Sequence, residues 1–382
     1  VRFYHTLIMV YATVMTFSAL YAPQPLQPIL MSEFGVSKEQ AALLTTVTMI
    51  PLGIAPIVYG YMLESFSSKK LFLIGIGSLA LLQLAFFFTD NFNLLIVIRF
   101  FVGMAIPAVL TSVMTYISTV TKRETVQRQM AYYISSTILG GFAGRFFSGL
   151  IASYFGWRWT FLILAFSLSF AFLLIRSLHE AEIQVSKFSV RSVLDVLKKR
   201  QFATIYLLIF ATFFTFAAML NFIPFRVREI SAGSSSFTIG VMYMGYIMGI
   251  VMSLNALRII KIFGGEMNTV FSALVFYAFT LFLFTYPSLY VMFFGMFLFC
   301  CGMFLAHSVA SGYVNKIADD KKGITNGLYV SFYYAGGTFG SFVPGFVYSG
   351  FGWNFFLLFI GSVLSVSVAA AWFIQDRRRI YS

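Results

Sequence analysis

Charge is scarce in this chain of 382 residues: Asp, Glu, Lys and Arg together make up 10%, and only 3 histidines are present. A soluble domain carries about a quarter of its residues as charged groups, so a water-exposed globule of this length is excluded. Cysteine is scarcer still. Cys300 and Cys301 are adjacent inside an apolar run, which gives neither a spaced disulfide framework nor zinc-ligand spacing; they read as small polarizable packing residues. His5, His179 and His307 are scattered, and all 13 acids lie at rims or in loops. A membrane-embedded enzyme therefore has no cluster from which to build a site, and no cofactor or metal is expected. The pattern GxxxxGK[ST] stands nowhere in the chain, which removes the phosphate loop of an ATP-driven pump.

What is abundant is apolar. Hydrophobic residues make up 59% of the chain, with 48 phenylalanines. We read twelve apolar spans, two of them at about 41–63 and 324–349. Each is long enough to cross a hydrocarbon core at 1.5 Å per residue. The net charge of +13 would suit a nucleic-acid partner if it were spread over a surface, but it is sided instead. With the N-terminus inside, Lys38, Arg158, Arg226 and Arg228 fall outside, Arg99 and Arg145 fall within spans, and every other basic residue is cytoplasmic. That bias is a positive-inside signal with both termini cytoplasmic. The first span is not expected to be a cleaved leader, being too long and carrying Gln24, Gln27 and three prolines.

The chain also repeats itself. Gly140–Trp157 and Gly336–Trp353 align without a gap at an offset of 196 residues and share Gly140/Gly336, Gly141/Gly337, Gly144/Gly340, Phe146/Phe342, Gly149/Gly345, Ser153/Ser349, Phe155/Phe351, Gly156/Gly352 and Trp157/Trp353. Small residues at such spacings let helices pack backbone to backbone in lipid, and a repeat at half the chain length is the one-dimensional form of a two-fold transporter. The fold expected is an all-α membrane protein with twelve transmembrane helices in two parallel, pseudo-symmetric six-helix bundles. Residues 1–178 form the first, 202–382 the second, and 179–201 a cytoplasmic linker. In the linker Val190, Val193, Leu194 and Leu197 fall at i, i+3, i+4, i+7, predicting an amphipathic helix tied to the lipid surface.

Gly60-Tyr-Met-Leu-Glu64 through Lys69-Lys70 resembles the signature loop of the major facilitator superfamily, with Glu64 in place of the usual Asp. Arg99-Phe-Phe-Val-Gly103 resembles the arginine motif of proton-linked members, and Gly140 through Gly149, with Arg145, resembles the fifth-helix antiporter motif. Tyr21-Ala-Pro-Gln24-Pro25 leading to Glu33, Ala306-His307, and Tyr329 to Tyr334 resemble bacterial inner-membrane drug and sugar efflux permeases of the drug:proton antiporter-1 type. The resemblance implies a monomeric secondary carrier of the bacterial inner membrane that works by alternating access. Its partners would be a small-molecule substrate, protons and membrane lipid, with no nucleic acid and no enzymatic step.

The residues themselves give these expectations physical content. Glu64 can face a helix N-terminus, whose dipole favours an anion, and with Gly60, Lys69 and Lys70 would form a gating loop. Gly103, Gly140, Gly144, Gly149, Gly336, Gly340 and Gly345 are helix-packing positions. Proline-bearing helices near the midplane line transport sites, which nominates Tyr21, Gln24, Pro25 and Asn221, with Tyr333 and Tyr334 adding hydrogen-bonding aromatic surface. A buried arginine costs roughly 2.5–3.5 kcal/mol at a span centre. Arg99 and Arg145 therefore either bind backbone carbonyls and polar groups such as Gln24 and hold helices in register, or bind an anionic or polyhydroxylated substrate; Arg145 reads as the former and Arg99 as the latter. His307 is the embedded group whose intrinsic pKa suits proton coupling, with a neutral interhelical hydrogen bond as its alternative role and Glu33 as the other candidate. A facilitator or exchanger without proton coupling is the second reading of function.

Overall fold

The computed structural model describes residues 3–65, 67–120, 126–178, 190–318 and 322–381; side chains of 3, 55–65, 118–120, 126–128, 131, 190–192, 322–323 and 375–381 are not among those described. Among the described residues every regular element is helical. In chain order these are α1 (Phe3–Tyr21), α2 (Gln27–Phe34), α3 (Lys38–Ser65), α4 (Ser68–Phe88), α5 (Phe92–Val120), α6 (Val126–Phe155), α7 (Trp157–Arg176), α8 (Val190–Lys198), α9 (Arg200–Ile230), α10 (Ser236–Met242), α11 (Met248–Ile262), α12 (Glu266–Thr280), α13 (Leu289–Ile317), α14 (Lys322–Gly340), α15 (Val343–Phe351) and α16 (Trp353–Tyr381). Short 3-10 turns join α1 to α2, α10 to α11, and extend α12.

Ten helical stretches among the described residues are long and apolar enough to cross a membrane. The expected spans at 41–63 and 324–349 are also helical, as α3 and as α14 with α15. Large apolar side chains face outward in number; the repeat pair Phe155 and Phe351 are each 70% exposed. Water would penalise such a surface and acyl chains would not.

The chain forms two compact units. The first comprises Val1–Val36, Leu43–Phe188 and Ser234–Val241; the second comprises Ser37–Ala42, Ser189–Gly233 and Met242–Ser382. Within the first, α1 packs on α6, and α4 on α5 and α7; within the second, α9 packs on α14, and α12 on α13 and α16. The 196-residue offset persists in these contacts. A Cβ on Gly140 would lie 2.6 Å from the Val14 carbonyl oxygen, and one on Gly336 would fall on the carbonyl of Phe210. Gly144 rides in the same way on Ser18, and Gly340 on Phe214. Val14 and Phe210, like Ser18 and Phe214, are themselves 196 residues apart, so the repeat covers the partner helices although their side chains have diverged. Gly156 and Gly352 start α7 and α16 with φ of 93° and 86°, a region open mainly to glycine.

Helix α8 forms where amphipathic periodicity predicts it, yet among its described side chains Val196 is the buried one and Leu194 is 52% exposed. The helix packs on α9 and α14, so its inward face is set by those neighbours. Residues 179–189 of the expected linker lie outside the described residues.

Candidate functional site

In the first unit the chemistry gathers around a broken helix. Pro23, Pro25 and Pro28 follow the end of α1. Proline has no N–H to donate to the carbonyl four residues earlier, so Ala19 loses its helical partner at Pro23. The break re-forms as a 3-10 turn over Gln24–Leu26 before α2 begins. A freed carbonyl in lipid needs a donor from elsewhere. Arg99 on α5 supplies it: Nη1 donates to the Ala19 carbonyl at 2.8 Å, Nη2 to Leu20 at 2.5 Å, and Nε to Leu44 on α3 at 2.8 Å. The guanidinium is fully buried. One turn on, Gly103 lets α5 sit directly on the Thr48 carbonyl of α3, so Arg99 and Gly103 form one face that joins α1, α3 and α5.

Arg145 on α6 holds the other side of the same break. Its Nε donates to Gln24 Oε1 and its Nη1 to the Gly141 carbonyl, both at 2.6 Å. The guanidinium also lies 3.8 Å above the Tyr21 ring centre, a cation–π geometry. Ser148 donates to the Ala22 carbonyl at 2.6 Å. Tyr21, Gln24 and Arg145 are thus brought together, and Pro25 is buried within the turn they surround.

Glu33 lies at the far end of α2. Its carboxylate accepts from Trp157 Nε1 at 2.6 Å and from Arg158 at 2.8 Å, while Arg158 also reaches Asp90 at 2.5 Å. It belongs to a rim network.

In the second unit the repeat departs from the first. The position matching Arg145 is Ser341, where α14 stops, and the one matching Ser148 is Pro344. Asn221 on α9 places its side-chain N–H on the Ser341 carbonyl at 2.8 Å. A second group gathers elsewhere on α13, α14 and α9. Tyr333 stacks on Phe213 with ring centres 3.6 Å apart and lies 4.8 Å from the His307 ring; Tyr334 meets Tyr333 edge-on at 5.1 Å. His307 Nδ1 and the Tyr329 hydroxyl are 2.9 Å apart, and that hydroxyl also faces the His307 carbonyl at 3.2 Å. A hydroxyl proton directed at the carbonyl leaves the Tyr329 oxygen to accept from Nδ1–H, and Nε2 is then the nitrogen that can take a proton. His307, Tyr333 and Tyr334 thus share one site, with Asn221 at the helix break instead. Phe213 escaped sequence reading because nothing distinguishes it among so many phenylalanines.

Of the gating loop, the side chains of Gly60 and Glu64 lie outside the described residues. Lys69 donates to the Arg176 carbonyl at the C-terminal end of α7 at 2.9 Å, where a cation is favoured by the helix dipole. The Lys70 N–H donates to Ser67, the N-cap of α4, at 3.3 Å. Gly149 packs on the Ser236 carbonyl of α10, and Gly345 on the Phe222 ring. Among the described residues no cluster of His, Cys, Asp and Glu is suited to a metal ion.

Comparison with known proteins fits this architecture. The chain is 28% identical to the uncharacterized MFS-type transporter YybF of Bacillus subtilis (strain 168), over 94% of this chain and 89% of that protein. It is 26% identical to the inner membrane transport protein YnfM of Escherichia coli (strain K12), over 95% of this chain and 88% of that one. Its fold superposes on the nucleoside transporter NupG with a TM-score of 0.78 at 14% identity, covering 97% of this chain and 99% of that one. It superposes on a bacterial homologue of the human lysosomal transporter Spinster with a TM-score of 0.73 at 13% identity, covering 98% and 96%. The Major Facilitator Superfamily profile matches residues 9–319, and with its repeat, its helical spans and its broken first helix, this chain belongs to that superfamily of membrane transporters.

Proposed function

We propose that the protein is a proton-coupled exporter of small molecules, drugs or sugars, which works by alternating access in a bacterial inner membrane with both termini cytoplasmic. The carrying observation is the His307 site. An imidazole whose intrinsic pKa falls near neutrality is hydrogen-bonded to Tyr329 and in ring contact with Tyr333, so a proton on the ring and a ligand on the tyrosines would compete through the same few atoms. The aromatic surface of Phe213, Tyr333 and Tyr334 suits amphipathic or ring-bearing substrates. Export rests on the resemblance of the motifs to efflux permeases. We read Arg99 as a positioning residue, because its three kinds of nitrogen each meet a carbonyl.

The second reading, an uncoupled facilitator or exchanger of anionic or polyhydroxylated molecules, is favoured by Arg145, a buried cation at a broken helix. Reconstitution into proteoliposomes distinguishes the two, with a panel of cationic drugs, neutral sugars and organic anions and a pH-sensitive dye inside. Substrate-triggered proton movement that His307→Gln abolishes, while substrate binding persists, is the expected result. Substrate flux without proton movement would overturn coupling and leave the second reading in place.

A further inference from the structure

The serine pair of the repeat, Ser153 and Ser349, captures the start of a helix in each unit, by two different chemistries. In the first unit the Ser153 oxygen on α6 accepts from the backbone N–H of Phe237, in the first turn of α10, at 2.8 Å. In the second unit Ser349 on α15 donates to the carboxylate of Glu39, in the first turn of α3. Each captured turn begins a helix that continues into the other unit: α3 passes from the second to the first after Ala42, and α10 from the first to the second after Val241.

The Ser153 contact involves no ionisable group. The Ser349 contact is surrounded by them. Lys38, next to Glu39, pairs with Glu229 of α9 at 2.5 Å and lies 4.1 Å over the Tyr348 ring of α15; Arg226 of α9 also meets Glu229, at 3.3 Å. Gly345 brings α15 close, since a Cβ there would lie 3.2 Å from Glu39 Cγ and closer still to the Phe222 ring. Burial opposes ionisation of Glu39, but hydrogen bonds from Ser349 and Ser37 and the charge of Lys38 outweigh it and hold the carboxyl below the usual range.

We propose that the first turn of α3 is a charge-set clasp: ionised Glu39, held by Ser349, fixes the start of α3 within the second unit, before the helix passes to the first, and Ser153 forms a charge-independent counterpart on α10. A hydroxyl-to-carboxylate hydrogen bond is charge-assisted, whereas the partly exposed Lys38–Glu229 pair contributes little and is screened by salt. The Glu39–Ser349 contact therefore carries most of the clasp. The proposal stands whether or not transport is coupled to protons.

Hydrogen–deuterium exchange on the full-length protein in lipid nanodiscs tests it without substrate, with rates corrected for intrinsic pH effects. In Glu39→Gln, amides of the segment containing 37–42 should exchange at least about tenfold faster than wild type at pH 7, the loss of one charge-assisted hydrogen bond. Ser349→Ala should do the same, and the double variant should go no further. Wild-type protection of the segment should fall with acidification below the ordinary carboxylate range, and Glu39→Gln should show no such dependence. Ser153→Ala should loosen 234–241 and leave the pH response of 37–42 intact. Protection within about twofold of wild type in Ser349→Ala, which keeps the charge and folds even if Glu39→Gln does not, would overturn the clasp. Additivity of the two substitutions, or a pH response conferred equally by Ser153, would overturn it as well.

Discussion

Arg99 Nη1 lies 2.8 Å from the carbonyl oxygen of Ala19, the acceptor left without a helical donor because residue 23 is proline. One side chain thereby replaces the missing backbone bond, and the break in α1 persists in a medium that offers no water. Replacing Arg99 with Met should destabilise the protein by about 3 kcal/mol, the scale of orphaned buried acceptors together with a lost charge-assisted donor. Adding Pro23→Ala, which returns an N–H to Ala19, should recover part of that loss. Thermal unfolding in detergent of the two single variants and the double variant measures the coupling; strict additivity would refute the replacement.

Glycine substitutions should separate by what the new methyl group meets. At Gly144 it would lie 2.6 Å from the Ser18 Cα, and at Gly340 it would strike the Phe214 carbonyl, both backbone; at Gly77 it meets the edge of the Phe172 ring at 3.3 Å. Gly144→Ala and Gly340→Ala should each cost roughly 2–4 kcal/mol or abolish folded yield, and Gly77→Ala less than about 1 kcal/mol, because a ring can shift and a helix backbone cannot. Size-exclusion profiles and melting temperatures would report the difference.

Gly144 and Gly340 stand out in the sequence, because backbone-to-backbone packing tolerates no alternative residue and duplication printed the pattern twice. The apolar spans were legible for the same kind of reason, since lipid forbids charge along a long run. Carbonyls and Gln24 stood as acceptors in one of the two readings of the arginines, but which carbonyls they hold was not legible. A buried guanidinium announces that it needs acceptors, but which carbonyls are free depends on where proline opens a helix and on which helix lies opposite. Glu39 passed unnoticed because at the start of a span it resembles any rim acid; only its placement against Ser349 gives it a role. Phe213 was hidden by composition, one ring among many.

Removing the acceptor of Arg145 should cost more than removing the donor to Ser341. Gln24→Leu leaves a charged N–H without its side-chain oxygen, a loss of about 1.5–3 kcal/mol, while Asn221→Leu leaves one neutral carbonyl, nearer 1 kcal/mol. Equal shifts in melting temperature for the two would show that the break in α1 and the break between α14 and α15 are held with equal strength.

The Glu39 carboxyl, held below its ordinary value, gives a stability contribution with a defined sign. The contribution is complete above the unfolded-state value of about 4.3 and disappears as pH falls through the lowered folded-state value. Wild type and Glu39→Gln should therefore differ by a constant amount from neutral pH down to about 5, and converge only as pH falls through the lowered folded-state value. Melting temperatures across that range, measured on both proteins, would reveal convergence or its absence.

Two clasps built on the same duplicated serine but closed by different chemistry respond differently to their surroundings. The start of α10 is held by a backbone N–H and a hydroxyl, neither of which titrates, and the start of α3 by a carboxylate, so acid loosens one without touching the other. Duplication made the two helix starts alike, and a single carboxylate makes one of them sensitive to pH.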